Sequence, residues 1–233
     1  LYFIHTRHGL SRRRFLGAGG AALAGWGARS LWAQPDNPSH PSNETDVIPE
    51  YLTREENFKN VGRGKPPPGD LSEPRRREVG LVPETWQLEV VADPDSDSKL
   101  DQPLTKAQGT ALNWKDLLKL AETKAVRFMH VMACTNMSGP LGMGLWEGVP
   151  LREVIGLARP TANVRRVFYY GYHNDDPKQR FQSSLTLDRV LEDSPGEWPV
   201  ILCYKLNGQW LTPKRGGPVR MIVPGLYGNK SVK

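Results

Sequence analysis

Apolar and polar positions alternate along Trp86-Gln87-Leu88-Glu89-Val90-Val91, the period of two that a half-buried strand requires. A polar turn follows at Asp93-Pro94-Asp95-Ser96-Asp97-Ser98. The period then lengthens: Trp114, Leu117, Leu118 and Ala121 share one face of a helix predicted over 113–124. An apolar run over 126–132 predicts a strand that leads straight into Cys134. A second helix is predicted over 149–157, opened by Pro150, and further strands over 164–170, 200–205 and 219–223. Asn207-Gly208 marks a hairpin-type turn, and Pro224-Gly225 closes the last strand. Strands and short helices interleave without a strict βαβ repeat, which predicts an α+β fold with a mixed β-sheet and short helices. No internal repeat is present.

Ahead of this pattern the chain reads differently. Residues 34–50 are rich in Pro, Asn, Ser and Asp and read as a linker. Residues 51–80 carry Pro66-Pro67-Pro68 and Arg75-Arg76-Arg77, which predicts an extended, irregular wrap with the basic triplet as a solvated surface. The folded domain is expected to span 51–233.

Composition changes one inference that charge alone would suggest. The 233 residues suffice for one domain with its own core, and the net charge is +6. Five arginines and no acid fall within 1–34, so removing those five leaves 26 basic residues against 25 acidic ones. The domain is therefore near neutral, and nucleic acid is excluded as the partner its basic pI would imply. Two cysteines are too few for a disulfide framework, and Cys/His pairs at zinc spacing are absent. No run of 18 apolar residues is present for a membrane span.

The basic excess has its own reading. Ser11-Arg12-Arg13-Arg14-Phe15-Leu16 precedes a weakly apolar, Gly- and Ala-rich run to Trp26. This fits a twin-arginine signal over 1–33, with cleavage after Ser30 or Ala33, and export to the periplasm or beyond by that machinery. The other reading, a basic amphipathic helix on an acidic surface, is opposed by its glycines. Twin-arginine export carries folded proteins, so a cofactor inserted before export is expected. With Leu1 first and Lys233 last, the chain reads as a piece of a longer protein, truncated at its C-terminus.

Four stretches bear chemistry. Cys134 sits in a loop after a strand, with Asn136, Ser138 and backbone amides nearby; it is either a presented thiolate and soft metal ligand, a buried inert thiol, or half of a disulfide with Cys203. Arg215-Gly216-Gly217-Pro218-Val219-Arg220 places two guanidiniums around a turn that lets the backbone approach an anion, or is simply an exposed hairpin turn. The loop from Pro224 to Lys233 is Gly-punctuated and ends in Ser231, Val232 and Lys233; it is either a phosphate-binding loop or a surface turn. Tyr172-His173-Asn174-Asp175-Asp176 offers an acid–base or metal-ligating group, or only turn chemistry.

Taken in order, the leader, the Cys after a strand, Trp146-Glu147-Gly148-Val149-Pro150-Leu151, Asn207-Gly208, the Gly-x-Pro-Val-Arg run to Arg220, and Pro224-Gly225-Leu226-Tyr227-Gly228-Asn229-Lys230-Ser231-Val232-Lys233 resemble the molybdopterin-binding domain of the sulfite oxidase family. That family includes sulfite oxidases, assimilatory nitrate reductases and the periplasmic methionine-sulfoxide reductase catalytic subunit. The resemblance implies a molybdenum–molybdopterin cofactor with Cys134 as metal ligand and catalytic residue. It implies cofactor contacts from Arg220, Ser231, Val232 and Lys233, from Arg215 where relatives carry His or Asn, from Asn57, Lys59 and Asn60, and from His173. Thr135-Asn136-Met137 stands where sulfite oxidases carry Gly-Asn-Arg. The implied activity is two-electron oxygen-atom transfer on a small sulfur compound or oxyanion, with electrons exchanged through a separate carrier protein, a cytochrome or membrane haem subunit. The alternatives are sulfoxide reduction and a cofactor-free binding module that keeps the fold.

Overall fold

The computed structural model describes residues 2–5, 49–61, 66–161, 163–193 and 195–233. Contacts divide the chain into a unit of residues 1–7 and 48–233 and a second unit of 8–47. The twin-arginine motif and the linker up to residue 48 lie outside the described residues, whereas residues 2–5 of the stretch 1–33 expected as the leader are described, as a strand paired with the strands Val90–Ala92 and Arg166–Tyr170.

In chain order the elements are β1 (Tyr2–His5), α1 (Glu73–Glu78), β2 (Gln87–Leu88), β3 (Val90–Ala92), β4 (Leu112–Asn113), α2 (Trp114–Lys124), β5 (Val126–Met132), β6 (Gly142–Pro150), α3 (Leu151–Leu157), β7 (Arg166–Tyr170), β8 (Gln182–Thr186), α4 (Leu187–Leu191), β9 (Ile201–Leu206), β10 (Gln209–Trp210) and β11 (Arg220–Ile222). A five-stranded antiparallel sheet runs β10-β9-β6-β5, with β11 also on β9. A four-stranded sheet runs β3-β1-β7-β8 and is mixed, because β1 is parallel to β3 and antiparallel to β7. A β2–β4 ribbon completes the set. This is the α+β architecture with mixed sheet that the hydrophobic pattern predicts.

Strand β9 explains why one sequence run serves two cores. Leu202 and Tyr204 enter a cluster with Val149, Val154, Ile155, Val167 and Met221. Ile201 and Cys203 enter another with Phe58, Phe128, Met132, Cys134, Trp146 and Ile222. Both faces are dry, so the strand reads as a continuous apolar run rather than an alternation. Helix α2 begins as its sequence demands: the Asn113 side chain accepts from the Asp116 amide at 3.0 Å, the N-cap bond. At the β9–β10 turn Asn207 and Gly208 both take positive φ, 53° and 85°, as a primed turn requires.

The helix expected over 149–157 starts at Leu151, because Val149 and Pro150 close strand β6 and Pro150 is the N-cap; three further departures from the hydrophobic pattern are larger. The strand over 86–91 breaks at Glu89: β2 pairs with β4, whereas Val90 exchanges both backbone bonds with Leu104 at 2.9 Å. Strand β6 carries three glycines, which weaken the strand signal, and packing requires them. A Cβ on Gly144 would stand 2.4 Å from Leu206 Cδ1, and one on Gly148 2.3 Å from the Leu202 carbonyl oxygen, at the bulge between β6 and β9. The third departure corrects the irregular wrap over 51–80, which contains helix α1. Pro in its first turn sets φ, and Arg75–Glu78 and Arg77–Glu73 pair along its surface at the helical spacing.

Candidate functional site

Strand β5 delivers the chain into the loop 133–141, which the Leu141 amide closes by donating to the Met132 carbonyl at 2.7 Å. Cys134 lies in that loop, buried and unbridged. Its carbonyl accepts from the Met137 amide at 3.2 Å. The C-terminal loop docks on the same place, because the Gly228 amide donates to the Ala133 carbonyl at 2.6 Å. Cys203 is also free and wholly buried; its Sγ donates to the Lys205 carbonyl at 3.2 Å. The two thiols are therefore not joined, and burial pushes the Cys203 thiol up to about 12.

Strand β11 pairs Arg220 with Cys203, so the Arg220 side chain points to the Cys134 side of the sheet. Only 5% of Arg220 is exposed. Its Nη1 donates to the Arg215 carbonyl at 3.0 Å and its Nη2 to the Ser231 carbonyl at 2.8 Å. Arg215 is equally buried; its Nη2 donates to the Phe58 carbonyl at 3.0 Å. The Nε atoms of both arginines are buried with no acceptor. Burial, with Arg215 adding to it, pulls Arg220 down to about 10, and burial likewise lowers Arg215.

The run Ser231-Val232-Lys233 is sewn beside this pair. Ser231 Oγ accepts from the Val223 amide at 3.0 Å, and the Val232 carbonyl accepts from the Met221 amide at 2.9 Å. Lys233 Nζ donates to the Lys214 carbonyl at 2.9 Å and to Asn60 Oδ1 at 3.4 Å. Two glycines make room for it. A Cβ on Gly171 would lie 1.8 Å from the Lys233 carbonyl oxygen, and one on Gly216, at φ +90°, 2.9 Å from the Lys233 side chain. Burial first, then Arg220 and Arg215, lower Lys233 to about 8.

These groups face one cavity of about 240 Å³. Of the ten residues expected from sequence, Lys59, Asn60, Cys134, His173, Arg215, Arg220, Ser231, Val232 and Lys233 line it. Asn57 does not: it lies exposed in a 3-10 turn, Glu55–Asn57, outside the cavity wall. The wall also contains Phe58, Arg76 and Trp146, to which the sequence gives no site role, and Tyr172, which opens the Tyr172–Asp176 stretch read as an acid–base or metal-ligating group or as turn chemistry. Trp146 opens the Trp-Glu-Gly-Val-Pro-Leu run, which was a signal of its kind. Arg76 left none: Glu73 stands three residues before it, at helical spacing, and only the structure shows that this acid pairs with Arg77 instead.

Whether this donor set fits a molybdenum–pterin group is decided by two of its features. Arg215, Arg220 and Lys233 converge on the cavity, no ion pair to a described carboxylate satisfies them, and two of their buried N–H groups lack acceptors. Such a cluster is complementary to a phosphate. Among the described residues no group of three or more His, Cys, Asp or Glu side chains stands ready to hold a metal. A metal held by Cys134 would therefore take its other donors from a non-protein group. The residues fit.

Comparison with known proteins agrees. Residues 77–233 match the family model described as the oxidoreductase molybdopterin binding domain. The chain is 30% identical, over 94% of its length, to the protein-methionine-sulfoxide reductase catalytic subunit MsrP of Ralstonia nicotianae. It is 35% identical over 38% of its length to a nitrate reductase [NADPH] of Pichia angusta, 10% of which is covered. The sulfane dehydrogenase SoxCD of Paracoccus pantotrophus shares the fold, with a TM-score of 0.50 and 16% identity over 87% of this chain. The chain spans 63% of the MsrP sequence and 56% of the SoxCD chain, less than two thirds of either.

Proposed function

We propose that this chain, which belongs to the oxidoreductase molybdopterin-binding domain family, is the catalytic domain of an exported, sulfite oxidase-like enzyme that transfers an oxygen atom to or from a small sulfur compound or oxyanion. The cofactor of the family is molybdopterin. The observation that carries the reading is the pair of guanidiniums, each 5% exposed, that face the Cys134 cavity with no carboxylate paired to either among the described residues.

When bound, the molybdenum–pterin group supplies two-electron redox chemistry. The protein's part is binding and positioning. Cys134 is the thiolate that ligates the metal and raises its electron density. Arg215, Arg220 and Lys233 hold the phosphate, with Arg220 aimed by the Arg215 and Ser231 carbonyls. Ser231 and Val232 fix the backbone that seats Lys233. Lys59, Asn60 and His173 contact the pterin, and Phe58, Trp146 and Tyr172 exclude water around it. Asn57, outside the wall, carries no role in this reading. Electrons pass through a separate cytochrome or membrane haem subunit, and the leader directs the folded protein through the twin-arginine machinery to the periplasm.

A second reading is sulfoxide reduction, favoured by the identity to MsrP over 94% of this chain. The test is elemental analysis of full-length protein purified from a host that makes the cofactor. About one molybdenum per chain, lost in Cys134→Ser, is expected for a single thiolate-ligated site. A well-folded protein without molybdenum or pterin would replace the enzyme with a cofactor-free binding module. Assays of sulfite oxidation and methionine-sulfoxide reduction with artificial electron carriers then separate the two chemistries.

A further inference from the structure

The three consecutive arginines of α1 have different fates. Arg75 pairs with Glu78 and Asp175, and Arg77 pairs with Glu73 and Glu84. Arg76, between them, makes no ion pair among the described residues, and its Nε is buried without an acceptor. Its side chain lines the Cys134 cavity, where Asp70 also lies but does not pair with it. Helix α1 is fixed in that position from one side by Asp175, whose Oδ1 accepts from both Arg75 and Tyr172, itself a wall residue. On the other side the turn Pro68–Asp70 packs against Lys214, with Gly69 in contact with its backbone.

Arg76 also differs from Arg215 and Arg220 in access. It is only partly buried, whereas they are 5% exposed. Together with Leu81, Pro213 and Gly217 it lines a second groove, whose walls include Trp114, Tyr204 and Trp210, so it stands where that groove meets the cavity. A cation sealed behind others suits a group that stays. An unpaired guanidinium at the mouth suits a ligand that exchanges with solvent. We propose that Arg76 is a substrate-side anion receptor, which holds a small tetrahedral or pyramidal oxyanion at the mouth of the cavity through charge-assisted bonds from its guanidinium fork. This rests on the cavity being the cofactor site, and it narrows the substrate class to anions over neutral sulfoxides.

The test is calorimetric binding of inorganic sulfate to the full-length holoprotein, beside Arg76→Gln, Arg76→Lys and, as a control, Arg77→Gln. Sulfate affinity should fall about tenfold or more in Arg76→Gln, the loss of one charge-assisted bond. It should recover in part in Arg76→Lys and stay unchanged in Arg77→Gln, with molybdenum content equal in all four proteins. Absence of sulfate binding to the wild type, or equal affinity in Arg76→Gln, would overturn the assignment. So would loss of molybdenum from Arg76→Gln, which would transfer the residue to the cofactor. A wild-type protein without molybdenum would sink the cofactor reading by itself, while the sulfate series would still judge Arg76.

Discussion

Arg220 donates from Nη1 to the carbonyl oxygen of Arg215 at 3.0 Å, so one buried guanidinium is held by the backbone of the residue that carries another. Like charges are thereby brought together in a dry site, an arrangement that costs several kcal/mol per ion when nothing neutralises it. The arrangement makes sense as one half of a complex, with the negative half supplied by a ligand.

Replacing Arg220 by Met tests that account. The apoprotein is expected to resist urea at least as well as the wild type, because relieved desolvation of several kcal/mol offsets the lost bonds to the Arg215 and Ser231 carbonyls, about 1.5–3 kcal/mol each, and the weaker one to Met132 Sδ. Molybdenum per chain should fall at least tenfold. Urea unfolding and elemental analysis give the two readings, and a variant that keeps its molybdenum would remove Arg220 from the cofactor site.

Gly171→Ala should disturb the site through the backbone. The added methyl would meet the Lys233 carbonyl oxygen at 1.8 Å, and relief of such overpacking costs about 1–3 kcal/mol. Thermal stability and molybdenum content should fall together. Gly156, exposed in α3, is the contrast, because a methyl group added there would have no neighbour within 4 Å. Gly156→Ala should gain up to about 1 kcal/mol from helix propensity and leave the metal untouched.

The two thiols should separate by labelling. Burial holds the Cys203 thiol up to about 12, so at pH 8 it is protonated as well as inaccessible. Mass spectrometry after iodoacetamide treatment should find Cys203 unmodified in native protein and alkylated only after unfolding, without added reductant. Rapid native labelling would show that β9 opens locally.

Lys233 gives the apoprotein a pH dependence. Its folded value is depressed to about 8 from an ordinary 10.5, chiefly by burial. Between those values the unfolded chain binds the extra proton, so apoprotein stability should rise as pH increases from about 8 to about 10.5. Below the folded value both states are protonated and the full cost of the buried cation persists. Inorganic phosphate, by favouring the charged amine, should flatten the rise; urea midpoints across pH, with and without phosphate, read both effects.

Strands and helices whose register depends on their own residues were legible in the chain. Strand β5 spans the predicted 126–132, and α2 starts at its Asn113 cap, because period and capping are local properties. Strand β6 was not legible as a strand, since its glycines answer to Leu206 and Leu202 across space. Helix α1 was hidden for a similar reason: Arg75 and Arg77 look like part of a solvated triplet until their acids are seen beside them.

The site divides along the same line. The chain by itself determined which residue types are present, Cys134 after a strand and the Arg and Lys of the two terminal motifs, because the order of such motifs is a property of sequence. Only the tertiary structure decided their state. Burial, the position of backbone carbonyls and the lack of a paired carboxylate among the described residues are set by elements far apart in the chain. They turn Arg215 and Arg220 into a dry cationic pair with the half-buried Lys233 beside it, and they turn Arg76 inward while its two neighbours face acids.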